Sequence, residues 1–348
     1  MSTSTLLGRT FCNYDADQFL EAQEYGRDAN ILARGELKLG GGVTAFSDVE
    51  LSRTQRNYTG APIAIGTTSV TSFTAAGVGD PYQTILAIGH PDNPFTDARA
   101  SVAYRFVNLR GGSSTVNEGG RAVARLKGTN LGWDWESALL FNRAKITDTT
   151  YGRLYLRKLR HLVTDNWTLA QVAADPTIGH DVVTNNSSQI SQWDFKGNRE
   201  FGHLPGGAVG VAAGGEIRRE TSGLDPDPLV ASGQIYGLAY TILDSSRNVE
   251  SAFLEMRFPL LKSVEVNWAG RMDKYDNLGR NFVPKYGFKW NVTDRLAFRG
   301  TIVKGFRAPS LSQVVPGGAQ FFLSGVYDPK RCEADEETPK AFSTKRYP

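Results

Sequence analysis

The chain has 348 residues, with 37 Gly, 15 Pro, 6 Trp, 13 Tyr, 18 Phe, two Cys and a formal net charge of +3. It is too apolar and too aromatic for a disordered chain, and its glycine has no collagen period. Two Cys exclude a disulfide scaffold and a multi-Cys zinc site, and the small charge gives no footprint for nucleic acid.

The N-terminus, MSTSTLLGRTFCNYDAD, lacks the basic start and apolar core of a secretory signal. No run of about 18 apolar residues exists, so no helix is expected to span a bilayer. That absence leaves a β-barrel open, because a barrel shows itself by alternation rather than hydropathy. Helical patterning is confined to residues 16–25 and 169–174. Residues 58–79, rich in Thr, Ser, Gly and Ala and containing Pro62, read as a loop.

Elsewhere the period is two. Over 31–39, Ile31, Ala33, Gly35, Leu37 and Leu39 oppose Arg34, Glu36 and Lys38. Over 43–53, Val43, Ala45, Val49 and Leu51 oppose Thr44, Asp48 and Glu50. Over 132–145, Trp133, Trp135, Leu139 and Phe141 oppose Asp134, Glu136 and Asn142. Over 248–258, Ala252, Leu254, Met256 and Phe258 oppose Ser251, Glu255 and Arg257. Over 264–273, Val264, Val266, Trp268 and Met272 oppose Glu265, Asn267, Arg271 and Asp273. Over 282–290, Phe282, Tyr286, Phe288 and Trp290 oppose Lys285 and Lys289. Over 295–305, Leu296, Phe298 and Ile302 oppose Arg295, Arg299 and Thr301. Side chains alternate across a strand, so each segment carries one apolar and one charged face.

A soluble sandwich shares that alternation. Three features favour a transmembrane barrel. The segments run about 9–13 residues, where soluble strands centre near 5–6 and membrane strands need about 9–11. Trp133, Trp135, Phe258, Phe282 and Trp290 sit near segment ends on the apolar face, as an interfacial girdle requires. Short turns (40–42, 129–131, 204–206, 259–263, 291–294) alternate with long connections (54–97, 147–187, 221–247), the sorting of an outer-membrane barrel. Parity then assigns 99–108, although strand-like, to an external loop. Ten spanning strands remain, in five hairpins: 31–39 with 43–53, 120–128 with 132–145, 189–201 with 207–219, 248–258 with 264–274, and 281–290 with 295–305. Residues after Phe306 are expected to form another external segment.

Five stretches carry a family resemblance. Residues 90–95 read HPDNPF, followed by RASVAYRFVNL. Residues 128–140 read GTNLGWDWESALL and 204–220 read LPGGAVGVAAGGEIRRE. Residues 260–275 read LLKSVEVNWAGRMDKY, and 284–311 read PKYGFKWNVTDRLAFRGTIVKGFRAPSL. In this order they resemble the barrel of TonB-dependent outer-membrane receptors. The resemblance implies a 22-stranded barrel plugged by a separate N-terminal domain. It also implies uptake of a scarce nutrient (siderophore–iron, cobalamin or an oligosaccharide) driven through the plug by the inner-membrane TonB complex. It places the protein in the outer membrane of a Gram-negative bacterium, with the lipid bilayer and a small-molecule nutrient as partners and no nucleic acid. Against that family the chain, 1–348, is expected to be an incomplete barrel domain without plug or signal peptide. The competing readings are a passive outer-membrane pore and a soluble carbohydrate-binding sandwich.

No catalytic motif, metal-binding spacing or cofactor loop appears, so the expectation is a non-enzyme with no cofactor and no metal. His90, His161, His180 and His203 are scattered. Ligand contacts are sought in the external loops 54–97 and 147–187, with His90 a weak candidate that reads first as loop structure. Arg257, Glu265, Arg271, Asp273, Arg299 and, by parity, Arg307 are expected to face the lumen, with Phe306 at the outer girdle and Pro309 ending the ladder. Glu255 and Glu265 are expected to salt-bridge with Arg257 and Arg271 rather than act as a glycosidase pair. Asp225–Pro228 and the acidic 333–337 read as solvated loop charge. Cys332 lies in YDPKRCEADEE, a loop that in the resembling family often carries a second Cys, and pairing with Cys12 is the alternative.

Overall fold

The computed structural model describes residues 2–6, 9–19, 21–74, 78–239, 241, 243–276 and 278–314. Ten of its strands form one antiparallel sheet in sequence order. They are β1 (Tyr25–Gly40), β2 (Val43–Tyr58), β3 (Ser113–Asn130), β4 (Trp133–Leu154), β5 (Gly179–Leu204), β6 (Gly207–Asp225), β7 (Leu243–Leu261), β8 (Val264–Tyr275), β9 (Gly279–Thr293) and β10 (Leu296–Val303). All ten strands expected from alternation are present, most of them longer than expected. β5 reaches 26 residues and β4 reaches 22. The extra length lies on the long-loop side, where polar residues occupy both faces and the apolar signal that marks a strand in sequence is absent.

The turns on one side are tight. Gly40, Gly41 and Gly42 all take positive φ (87°, 59° and 78°), and Leu131 joins Gly132 at φ 52° and 76°. Such left-handed pairs match the twist of the strands that they join. On the other side, 59–112, 155–178 and 226–242 are long connections, and residues 99–108 form only two short bridges outside the main sheet. Residues 16–25, expected as a helix, form a 3₁₀ turn at Asp17–Phe19, and the chain enters β1 at Tyr25. Pairing with β2 begins at Tyr25 and runs over fifteen positions. The 169–174 helix is present as α2 (Leu169–Ala174), closed by a capping box between Thr168 and Gln171. α1 (Leu156–Thr164) was not expected. Its Leu156, Leu159 and Leu162 are all buried at helical spacing, but Arg157, Lys158 and Arg160 between them mask the stripe.

The apolar core lies in the loops, not between sheet layers. Ile65, Tyr82, Leu86, Phe106, Leu154, Leu156, Leu159, Leu162, Val172 and Ile178 are buried together, with Tyr236 from the third loop. Hydrogen bonds stitch the three connections into one cap. Ser72 Oγ donates to Ile235 O (2.9 Å), Tyr82 Oη donates to Leu159 O (3.2 Å), and Leu156 N donates to Gln234 O (2.8 Å).

Among the described residues, the outer edges of β1 and β10 pair with no strand. An unsatisfied backbone group in lipid costs several kcal/mol. These 348 residues expressed by themselves are therefore expected to give no heat-resistant monomer in detergent. A species that migrates faster unheated than boiled, at monomer mass, would contradict this.

Candidate functional site

Cross-strand register sorts every side chain of the sheet onto one of two faces. Leu37, Ala45, Leu126 and Ser137 align across β1 to β4, and Phe195, Gly215, Ala252, Met272 and Phe282 continue that face across β5 to β9. On this face the positions nearest the tight turns are uncharged for nine residues, apolar but for Ser47 on β2 and Ser137 on β4, and then charge begins. Val43–Leu51 is followed by Arg53, Trp133–Phe141 by Arg143, Val209–Ile217 by Arg219, and Val264–Met272 by Lys274. Nine tilted residues match the apolar band of about 25 Å that outer-membrane barrels present to lipid. Ile31, Leu37, Leu139, Ile217 and Ile302 are all more than half exposed on it. β5 fits least well, because Arg199 falls inside its band.

The opposite face is an ion-pair lattice. Arg34 meets Asp48 (3.0 Å), while Arg125 and Lys196 flank Glu136 at 3.7 and 3.2 Å. Arg257 bridges Glu200 (3.2 Å) and Glu265 (3.8 Å). Nearer the loops, Arg218 lies between Glu216 and Glu220, and Arg247 joins Glu220 at 2.7 Å. Arg271 joins Asp273 at 2.9 Å and Glu216 at 3.8 Å, and Ser251 Oγ donates to Asp273. This wall thus carries groups of both signs, paired across neighbouring strands.

The register places Arg257, Glu265, Arg271, Asp273 and Arg299 on this wall. Glu255 shares the face with no ion pair among the described residues, and the acids on Arg271 are Glu216 and Asp273 rather than Glu255 or Glu265. Residues 305–311 depart from the strand pattern. β10 ends at Val303, so strand parity never reaches Arg307, which lies exposed in a non-strand segment. Pro309 does not end the ladder, which stops six residues earlier. Phe306 turns to the inner face, where its ring lies 6.1 Å from that of Tyr275. Arg247 fixes the fold-back: it sits over the Tyr275 ring (5.2 Å) and donates to Pro309 O (2.7 Å). Leu311, at the start of the short helix α4 (Leu311–Val314), is buried behind them.

Above the wall, the HPDNPF loop is pinned from within. His90 is buried, its Nδ1 accepting from Asp92 N (3.0 Å) and its Nε2 donating to Trp167 O (3.2 Å). Asn93 Nδ2 donates to both Ala87 O and Ala98 O, and Asp92 accepts from Leu169 N. His161 stacks on Trp167 (4.8 Å) and meets Asp165. His180 donates to Asp227, and His203 sits at a bulge beside the 205–206 turn. The strands take the ends of the searched ranges 54–97 and 147–187, leaving 59–112 and 155–178 as connections. Residues 333–337 and Cys332 lie outside the described residues, and the Cys12–Cys332 pairing with them.

Asp227, expected as solvated charge, is buried. It accepts from Leu229 N (2.9 Å), capping the helix α3 (Pro228–Ala231), and from Val183 N (3.3 Å) and His180 Nε2 (3.0 Å). Burial works against its charge, but these donors outweigh burial and hold the carboxyl below its ordinary range. A depressed folded value contributes stability above the ordinary carboxylate range, lost as pH falls through the lowered value. Asp227→Ala is expected to cost about 0.5–2 kcal/mol of local stability and to flatten that acid dependence. Hydrogen exchange over 228–236 checks this, and an unchanged pH profile would contradict it.

Residues 44–331 match the family model for the TonB dependent receptor-like β-barrel. Over 70 residues the chain is 31% identical to the iron-regulated outer membrane virulence protein of Vibrio cholerae, covering 20% of this chain and 11% of that protein. The ferric enterobactin receptor of Pseudomonas aeruginosa superposes on 88% of this chain and 37% of its own, with TM-score 0.51 and 14% identity. The siderophore receptor PirA of Acinetobacter baumannii does so on 85% and 36%, also with TM-score 0.51 and 14% identity. The chain thus spans little over a third of these solved receptors, and at such identities the likeness shows the fold alone. The family match covers most of the chain. The chain belongs to the TonB-dependent receptor β-barrel family, and with it to the Gram-negative outer membrane.

Proposed function

We propose that this chain forms part of the wall and external cap of a receptor for energised uptake of a scarce nutrient, with a siderophore–iron complex as the favoured cargo. Cobalamin and oligosaccharides are the other classes such a wall could serve. The reading makes the protein a transporter rather than an enzyme. Its energy comes from the TonB complex, acting through a plug domain. The observation that carries it is the pairing of a two-faced membrane wall, ion-paired on its inner side, with loops folded around their own core. A simple pore needs no such packed cap. The names of the relatives, among them an iron-regulated outer-membrane protein and two siderophore receptors, support iron as the cargo.

The test is uptake of a radiolabelled ferric siderophore by cells with and without the intact gene, under iron limitation. The reading expects uptake that stops when TonB is deleted or the proton gradient is collapsed. Uptake that continues without either would identify a passive pore.

A further inference from the structure

The chain folds back on itself after β10. Lys304 N donates to Pro284 O (3.2 Å), and beyond it no N–H of residues 305–309 meets a backbone carbonyl among the described residues. The segment instead crosses the inner wall near the loop-side ends of β6, β7 and β8, and α4 packs on β6 and β7. Val249 and Tyr275 of that wall and Leu311 of α4 are buried, whereas Phe306 and Arg307 stay exposed. Val249 and Tyr275 are register partners, so they form one apolar spot among the ion pairs of the wall.

One side chain clasps this segment. Arg247 gives Nε and Nη2 to a single oxygen of Glu220 (2.7 Å each), and Glu220 gives its other oxygen to Arg218 (2.7 Å). The third nitrogen, Nη1, donates to Pro309 O (2.7 Å). The guanidinium is thus anchored to the wall through two nitrogens and holds the segment with the third. Releasing Pro309 keeps Arg247 on Glu220, so undocking leaves no charge unpaired. A short segment with no backbone pairing, few buried side chains and one charged clasp belongs at the low end of local stability.

We propose that residues 305–311 are a latched strap across the loop-side mouth of the lumen, closed while Pro309 sits on Arg247 and open when that bond breaks. Closed, the strap covers Val249 and holds Phe306 and Arg307 out into the lumen. Open, it bares the inner wall beneath the third connection. The proposal rests on the membrane-wall reading, which makes the inner face a lumen.

The experiment uses the full receptor in the outer membrane of intact cells, in a single-cysteine background. Val249→Cys places a thiol under the strap, and a bulky, membrane-impermeant maleimide added outside reads how often the strap opens. With Arg247 intact, labelling of V249C is expected to be slow. R247M removes the clasp. A hydrogen bond to a charged group is worth a factor of roughly ten to a hundred, and labelling is expected to speed up by that factor. R247K keeps the charge but lacks the planar fork that holds Glu220 and Pro309 together, so it is expected to follow R247M. F306A, which removes the ring beside Tyr275, is expected to speed labelling with Arg247 untouched. Equal rates for V249C alone and with R247M or F306A would overturn the strap, as would labelling of V249C alone as fast as that of R307C. Leu254→Cys, outward on the same strand, separates the two readings. Labelling of L254C from water sinks the membrane wall and the strap together, whereas a silent L254C with unchanged V249C rates sinks only the strap.

Discussion

Ala213→Arg is expected to destabilise the assembled wall by about 2–4 kcal/mol, the cost of a cation at the midplane of a lipid-facing strand. Ala213 is the central outward position of the nine-residue band on β6, facing Leu254 of β7. Its neighbour Ala212 points to the other face, where it pairs across to Glu255 and Asn198. Ala212→Arg therefore gains a carboxylate within reach and is expected to stay within about 0.5 kcal/mol of wild type. The comparison controls for strand propensity, position and size, because only the face differs. Urea unfolding of the protein in lipid vesicles reads both values. Equal costs for the two substitutions would contradict the assignment of faces.

Phe106→Ala is expected to cost about 3–5 kcal/mol, the usual penalty for emptying a buried aromatic site. The ring is fully buried, packs edge-on to Tyr104 at 5.0 Å, and belongs to the cluster that joins the three long connections. The loss should fall on the cap. Limited proteolysis is expected to cut within 59–112 and 155–178 at lower protease concentration, while the strand ladder holds. A substitution that left the loops resistant and loosened the strands instead would show that the cap draws its order from the sheet.

Much of this was legible in the sequence, and the rest was not for identifiable reasons. The ten strands stood out because lipid and water impose opposite demands on successive residues, so Leu254 and Glu255 or Trp268 and Asn267 mark their faces without help from context. Strand ends were underestimated where polar residues lie on both faces, as in Thr147, Asp148 and Thr149. Parity put Arg257, Arg271 and Arg299 on one charged face, where the register also has them, and it does not extend to Arg307 because it holds only while the ladder continues. The inward turn of Phe306 depends on Arg247, some sixty residues away, and on a backbone carbonyl that no side-chain pattern records. Asp227 looked like solvated loop charge; its burial depends on His180 and Val183 from another strand. The cap core was hidden for the same reason: Leu159, Phe106 and Tyr236 come from three separate loops, and none shows a local period that predicts their meeting.

One face of the sheet meets lipid and the other meets water. A spin-label scan of single cysteines from Val209 to Ile217, in the protein reconstituted into bilayers, tests it directly. The account predicts strict alternation along β6: labels at 209, 211, 213, 215 and 217 relaxed by oxygen and shielded from a water-soluble nickel chelate, labels at 210, 212, 214 and 216 the reverse. Equal access to the nickel chelate at both sets would contradict the membrane wall.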